Sequence, residues 1–138
     1  MKKFKKLIIA CDGESASGKS TAARLISKKY KLILLNSGLL YRYASKLLIK
    51  NKPRDPISFL NSKFKKVTYI NISNQNLHSQ QISDHVALLA KNKEIRKIVN
   101  NFQKKIIKDN KKICVEGRDI ASKILAKKPK YDIAFYFK

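Results

Sequence analysis

Residues 13–21, Gly13-Glu14-Ser15-Ala16-Ser17-Gly18-Lys19-Ser20-Thr21, fit the pattern G-x-x-x-x-G-K-[ST]. An apolar run, Leu7-Ile8-Ile9-Ala10-Cys11, leads into it, and a helix-forming run, Thr21-Ala22-Ala23-Arg24-Leu25-Ile26, leads out. Strand, glycine loop and helix in that order wrap backbone N–H groups around phosphate at a helix N-terminus. In such a loop Lys19 reaches the β- and γ-phosphates of a nucleotide, and the Ser20 hydroxyl is placed to ligate Mg²⁺. The stretch therefore predicts a site for a phosphorylated nucleotide. A plain strand-to-helix turn is the alternative.

The remaining 129 positions of the 138-residue chain set the frame for that loop. Hydrophobic residues make up 43%, enough for one folded domain with its own core. The net charge is +23, which by itself points to a polyanion. Its makeup points elsewhere. Of 32 basic residues only five are Arg, and Lys is spread from Lys2 to Lys138. A surface that reads nucleic acid favours the planar arginine fork, so no nucleic-acid partner is expected. The charge still concentrates nucleotide anions near the molecule. Cys11 and Cys114 fit neither a disulfide framework nor a zinc site, and both read as buried thiols. The five-residue apolar run behind the basic start is too short for a signal core or a membrane span. A cytoplasmic monomer without a membrane partner is expected.

Four apolar runs read as strands: 7–11, 32–35, 112–115 and 132–137. Their continuous apolar character is that of parallel strands covered on both faces. Helical patterns lie between them at about 19–30, 38–50, 80–91, 93–109 and 119–126. Alternating strands and helices predict a three-layer α/β domain. Residues 51–79 break the rhythm. After Pro53 and Pro56, Val67-Thr68-Tyr69-Ile70-Asn71-Ile72 alternates as an exposed strand does, and the stretch predicts an inserted sub-domain.

Three further segments follow the loop. Leu35-Asn36-Ser37-Gly38-Leu39-Leu40-Tyr41-Arg42 comes directly after the second run, where a substrate sits at a strand's carboxyl end. Glu94-Ile95-Arg96 opens a helix, and Val115-Glu116-Gly117-Arg118-Asp119 ends the third strand. Each has a local alternative: Arg42 and Arg96 as solvated helix charges, Arg118 and Asp119 as an ion pair with an N-cap. Yet three of the five arginines, Arg42, Arg96 and Arg118, lie in these segments, in a chain dominated by lysine. Arginine is the residue that grips phosphate with two hydrogen bonds.

Taken together and in order, the segments resemble the bacterial cytidylate kinase family. Its members carry a phosphate loop, a D-[ST]-G-x-x-Y-R segment, a three-stranded insert, a V-R helix, D-G-R-D, and a strand with an F-x-F-like end. The counterparts here are 13–21, 36–42, about 51–79, 95–96, 116–119 and 131–137. The resemblance implies the nucleoside monophosphate kinase fold: a parallel sheet with a small insert that binds the monophosphate. It also implies transfer of the ATP γ-phosphate to CMP or dCMP. By position, Ser37 and Arg42 would hold the acceptor, with Arg42 at its phosphate. Arg96 would reach the pyrimidine edge. Arg118 and Asp119 would contact phosphate and sugar, forming the catalytic set with Lys19. Glu116 would lie near the water shell of Mg²⁺, and Tyr41 would pack its helix.

Several positions depart from the family pattern. Asn36 stands for the usual Asp, and Glu116 for the first Asp of D-G-R-D. Ala87 falls about where a base-contacting Ser is expected, and His78 about where an Arg is. A missing hydroxyl at the base weakens selection of cytosine. Family members also continue past the strand at 131–137 into an arginine-bearing lid, a final strand and a final helix. Read against that pattern, the chain is expected to be a truncated product with an exposed apolar fourth strand and weak turnover. The rival readings are a kinase for UMP or AMP, and a non-catalytic module that binds nucleotide or nucleic acid.

Overall fold

The computed structural model describes residues 5–14, 17–127 and 130–138. Two compact units emerge: Met1–Ser37 with Gln103–Lys138, and Gly38–Phe102.

The first unit is built on a parallel sheet. Strand β1 spans Leu7–Gly13, β2 Ile33–Asn36, β3 Lys112–Gly117 and β4 Ile133–Phe137, in the spatial order β2-β3-β1-β4. All three pairings are parallel, with Leu7 opposite Lys112 and Asp12 opposite Gly117 in the central pair. All seven residues of β1 are buried, which explains its unbroken apolar run up to Cys11. Helix α1, Lys19–Tyr30, packs on β1, β2 and β3. Below it Leu7, Ile9, Cys11, Ala23, Leu32 and Cys114 form a core cluster, joined by Ile26, Leu34 and Phe137. Both expected thiols are fully buried, with their Sγ atoms 3.8 Å apart. On the sheet edge β4 leaves Ile133, Phe135 and Tyr136 exposed, although its continuous apolar run reads as a strand covered on both faces.

The expected helix at 119–126 is instead a single π-helical turn over Ile120–Ile124. Asp119 stands before it in the left-handed region, at φ 56°. A helix cannot run through that conformation, so the segment turns before it coils.

The second unit is helical. It holds most of α2 (Ser37–Asn51), all of α3 (Pro56–Lys66), α4 (Tyr69–Ser73) and α5 (Gln80–Leu89), and the first part of α6 (Lys93–Asp109). It takes in the stretch 51–79, and here the expectation of an exposed strand, and of a three-stranded insert, fails. Among the described residues of that stretch there is no strand. Local capping decides the outcome. Asp55 accepts a hydrogen bond from the Ser58 N–H at 3.1 Å with Pro56 as first helical residue, and Thr68 accepts from the Asn71 N–H at 3.3 Å. Tyr43, Phe64 and Phe102 stack edge to face at 5.5 and 5.2 Å, and with Leu60, Ile72 and Leu77 they give the unit its own core.

Candidate functional site

The phosphate loop leaves β1 at Gly13 and enters α1 at Lys19. Gly18, the residue before the helix, sits at φ 85° and ψ 2°, a conformation that a side chain disfavours. Its glycine therefore lets the backbone turn so that the first N–H groups of α1 face the loop. Ser15 and Ala16 lie outside the described residues. Glu14 and Thr21 are exposed, and the buried Ser17 hydroxyl has no partner among the described residues.

Lys19 turns back over the sheet. Its Nζ donates to the carbonyl of Gly13 at 2.9 Å and to that of Gly117 at 3.4 Å, bridging the carboxyl ends of β1 and β3. Next to it, the Ser20 hydroxyl donates to Oε1 of Glu116 at 3.2 Å. Glu116 is 3% exposed, and its Oε2 has no partner among the described residues. Burial raises the Glu116 carboxyl above its ordinary range; the Ser20 bond and the positive charges of Lys19 and Arg24 pull it back only in part. The neighbours Lys19 and Ser20 thus come together with Glu116, 96 residues beyond Ser20 in the chain. Among the described residues no group of three or more His, Cys, Asp or Glu stands together as a ready-made metal cage.

The segment after β3 is placed by a residue that motif reading passed over. Asp12, 9% exposed, accepts from the Ile120 N–H at 2.5 Å and from the Ala121 N–H at 2.9 Å. Its two oxygens cap the π-helical turn and fasten the stretch behind Arg118 and Asp119 to the strand that feeds the loop. Close packing holds the same corner, since a Cβ on Gly117 would come within 2.7 Å of the Ser37 Cβ. That contact also locates the buried Ser37 at the end of β3. Asp119 pairs with Lys123 at 3.6 Å, both more than half exposed, a different partner from the Arg118 of the local alternative. Asp119 occupies the N-cap position, but its side chain makes no cap bond there; Asp12 does that work. The only sequence sign of Asp12 was a carboxylate closing an apolar run.

Arg42 and Arg96 belong to the second unit. Arg42 is half-buried on α2, and its Nη1 donates to the Leu77 carbonyl and to Oγ of Ser83, each at 3.0 Å. Arg96, on α6, lies close enough to Tyr41 for its charge to act on the phenol. Burial pushes the Tyr41 hydroxyl upward, and the Arg96 charge opposes that shift. Tyr41 is half-buried, in keeping with a packing role. Ala87 and His78 are exposed. The same unit carries an open cavity of about 760 Å³ along α3, lined by Asp55, Ser58, Lys65 and Glu94 among others. None of the predicted site residues lines it.

The family model for cytidylate kinase matches residues 9–130. The chain is 34% identical over 135 residues to a cytidylate kinase of Mesomycoplasma hyopneumoniae (strain 7448), covering 88% of this chain and 58% of that protein. It is 34% identical over 135 residues to the cytidylate kinase of Aquifex aeolicus (strain VF5), covering 88% and 60% respectively. It is also 36% identical over 137 residues to a bifunctional pantoate ligase/cytidylate kinase of Prochlorococcus marinus (strain MIT 9215), with 85% of this chain and 26% of that protein covered. The chain thus spans about three fifths of the length of the single-function relatives it matches. No helix among the described residues is long and apolar enough to cross a membrane.

Proposed function

The chain belongs to the cytidylate kinase family, and from that premise we propose that it serves phosphoryl transfer from ATP to CMP or dCMP. The observation that carries the reading is the meeting of Lys19, Ser20 and Glu116 behind the left-handed Gly18. The ammonium of Lys19 is already held at the mouth of the loop and has only to exchange carbonyl oxygens for phosphate oxygens. The free N–H groups of α1 supply neutral donors to the same phosphates. Ser37, Arg42 and Arg96 are assigned to the acceptor, with Arg42 on its phosphate. Arg118 and Asp119 are assigned to phosphate and sugar.

The Ser20 hydroxyl and Glu116 carboxylate are hard oxygen donors, and Glu116 Oε2, without a partner among the described residues, suits a hydrated Mg²⁺. When bound, the ion neutralises charge on the donor's terminal phosphates. The protein's own part is to align donor and acceptor, because this transfer depends on positioning and electrostatics more than on covalent chemistry.

An acceptor panel tests the proposal. Calorimetric titration should show CMP and dCMP binding more tightly than UMP or AMP, with the margin narrowed because Ala87 offers the base no hydroxyl. Tighter binding of AMP or UMP than of CMP would transfer the assignment to another acceptor. Steeply salt-dependent RNA binding without nucleotide binding would overturn it.

A further inference from the structure

Arg42 is held in a way that specifies which of its edges meets a ligand. Both of its resolved hydrogen bonds leave from one nitrogen, Nη1: to the Leu77 carbonyl at 3.0 Å and to Ser83 Oγ at 3.0 Å. That nitrogen carries two protons, so both are committed. The three remaining donors, two on Nη2 and one on Nε, form the edge that grips an oxyanion with parallel bonds.

The two acceptors are themselves well fixed. Leu77 is fully buried. Ser83 lies in the first turn of α5, where Ser79 caps the helix through the Ile82 N–H at 3.2 Å and the Ser83 N–H bonds the Ser79 carbonyl at 3.0 Å. The start of α5 therefore acts as a bracket for the guanidinium.

We propose that Ser83 is a positioning residue for the acceptor nucleotide. With the Leu77 carbonyl, it turns the Nε/Nη2 edge of Arg42 toward the acceptor's phosphate and so sets affinity for the monophosphate. The inference rests on the assignment of Arg42 to that phosphate and adds how the arginine is aimed. Without the hydroxyl, Nη1 keeps one protein acceptor and the guanidinium can rotate about its remaining bond. Part of the ordering is then lost at binding instead of being built in.

Calorimetric titration of the chain with CMP and, separately, with ATP tests this in Ser83→Ala and Ser83→Thr. Alanine favours helix, so the first variant should fold, and thermal unfolding checks that it does. CMP affinity should fall roughly three- to tenfold in Ser83→Ala, the scale of one lost bond to a charged group after partial replacement by water. ATP affinity should stay within about twofold, and Ser83→Thr, which keeps the hydroxyl, should bind CMP much as the wild type does. In an Arg42→Ala background the Ser83→Ala change should add nothing, because its effect passes through the arginine. Unchanged CMP affinity in Ser83→Ala overturns the inference and leaves the acceptor assignment standing. Equal losses for ATP and CMP, or a full further loss in the Arg42→Ala background, overturn it too, by making Ser83 a structural tie. A wild-type chain that binds ATP but no CMP refutes the acceptor assignment, and the inference with it.

Discussion

Replacing Lys19 by alanine separates a binding role from a structural one, because the structure gives separate magnitudes for the two. The ammonium makes one well-formed bond, to the Gly13 carbonyl at 2.9 Å, and one at the limit of bonding distance, to the Gly117 carbonyl at 3.4 Å. A half-buried bond of the first kind contributes about 1 kcal/mol net, and the second adds little. Unfolding should therefore move down by only about 3–5 °C for a domain of this size. Against a triphosphate the same ammonium would make two charged bonds, each worth about 1.5–3 kcal/mol. Their loss, about 3–6 kcal/mol, raises the ATP dissociation constant by roughly two to four powers of ten. Differential scanning fluorimetry and calorimetric ATP titration on one preparation read both numbers. Wild-type ATP affinity in the variant would refute the phosphate-loop assignment. A collapse of folding would show that Lys19 holds β1 and β3 together and is not reserved for ligand.

Three other perturbations follow from the same geometry. Arg42→Lys keeps charge but loses the two-pronged edge, so CMP affinity should drop by about 1–3 kcal/mol while ATP affinity barely moves, as calorimetry would show. Asp12→Asn turns one acceptor into a donor facing a backbone N–H; chemical denaturation should show a loss of about 2 kcal/mol, and hydrogen exchange at Ile120 and Ala121 should quicken. Cys11 and Cys114 should resist a thiol reagent in the folded chain. The mutual hydrogen bond and burial push the Cys11 thiol far above its ordinary range; the same bond lowers Cys114, whose resistance rests on its full burial. Rapid labelling without denaturant would contradict the strand placement.

The parts legible in the sequence are those set by local pattern. Strand β1 was readable because both its faces are buried, which leaves an unbroken apolar run, and α1 because the glycine loop fixes its start. The stretch Val67–Ile72 misleads because six residues with alternating polarity fit a strand, and a capped helical turn also fits them. Only Ile72 is fully buried, while Ile70 is 70% exposed, and Thr68 supplies the cap. The turn after Asp119 could not be read locally. Its cap comes from Asp12, 108 residues earlier, across the pairing of β1 with β3. The same distinction divides the site. Lys19 and Ser20 are marked by the phosphate-loop motif, and Glu116 only by the resemblance of its segment to D-G-R-D, where it stands for the first Asp. Asp12 and Ser83 bond groups far away in sequence, and their neighbouring residues do not say which groups those are.

Transfer of label from γ-radiolabelled ATP to CMP tests the central claim most directly. With Mg²⁺ present, label should appear in CDP, depend on CMP concentration, and disappear in Lys19→Ala and Arg42→Ala alike. Label released only as inorganic phosphate, at a rate indifferent to CMP, would contradict the assignment of this chain to acceptor phosphorylation.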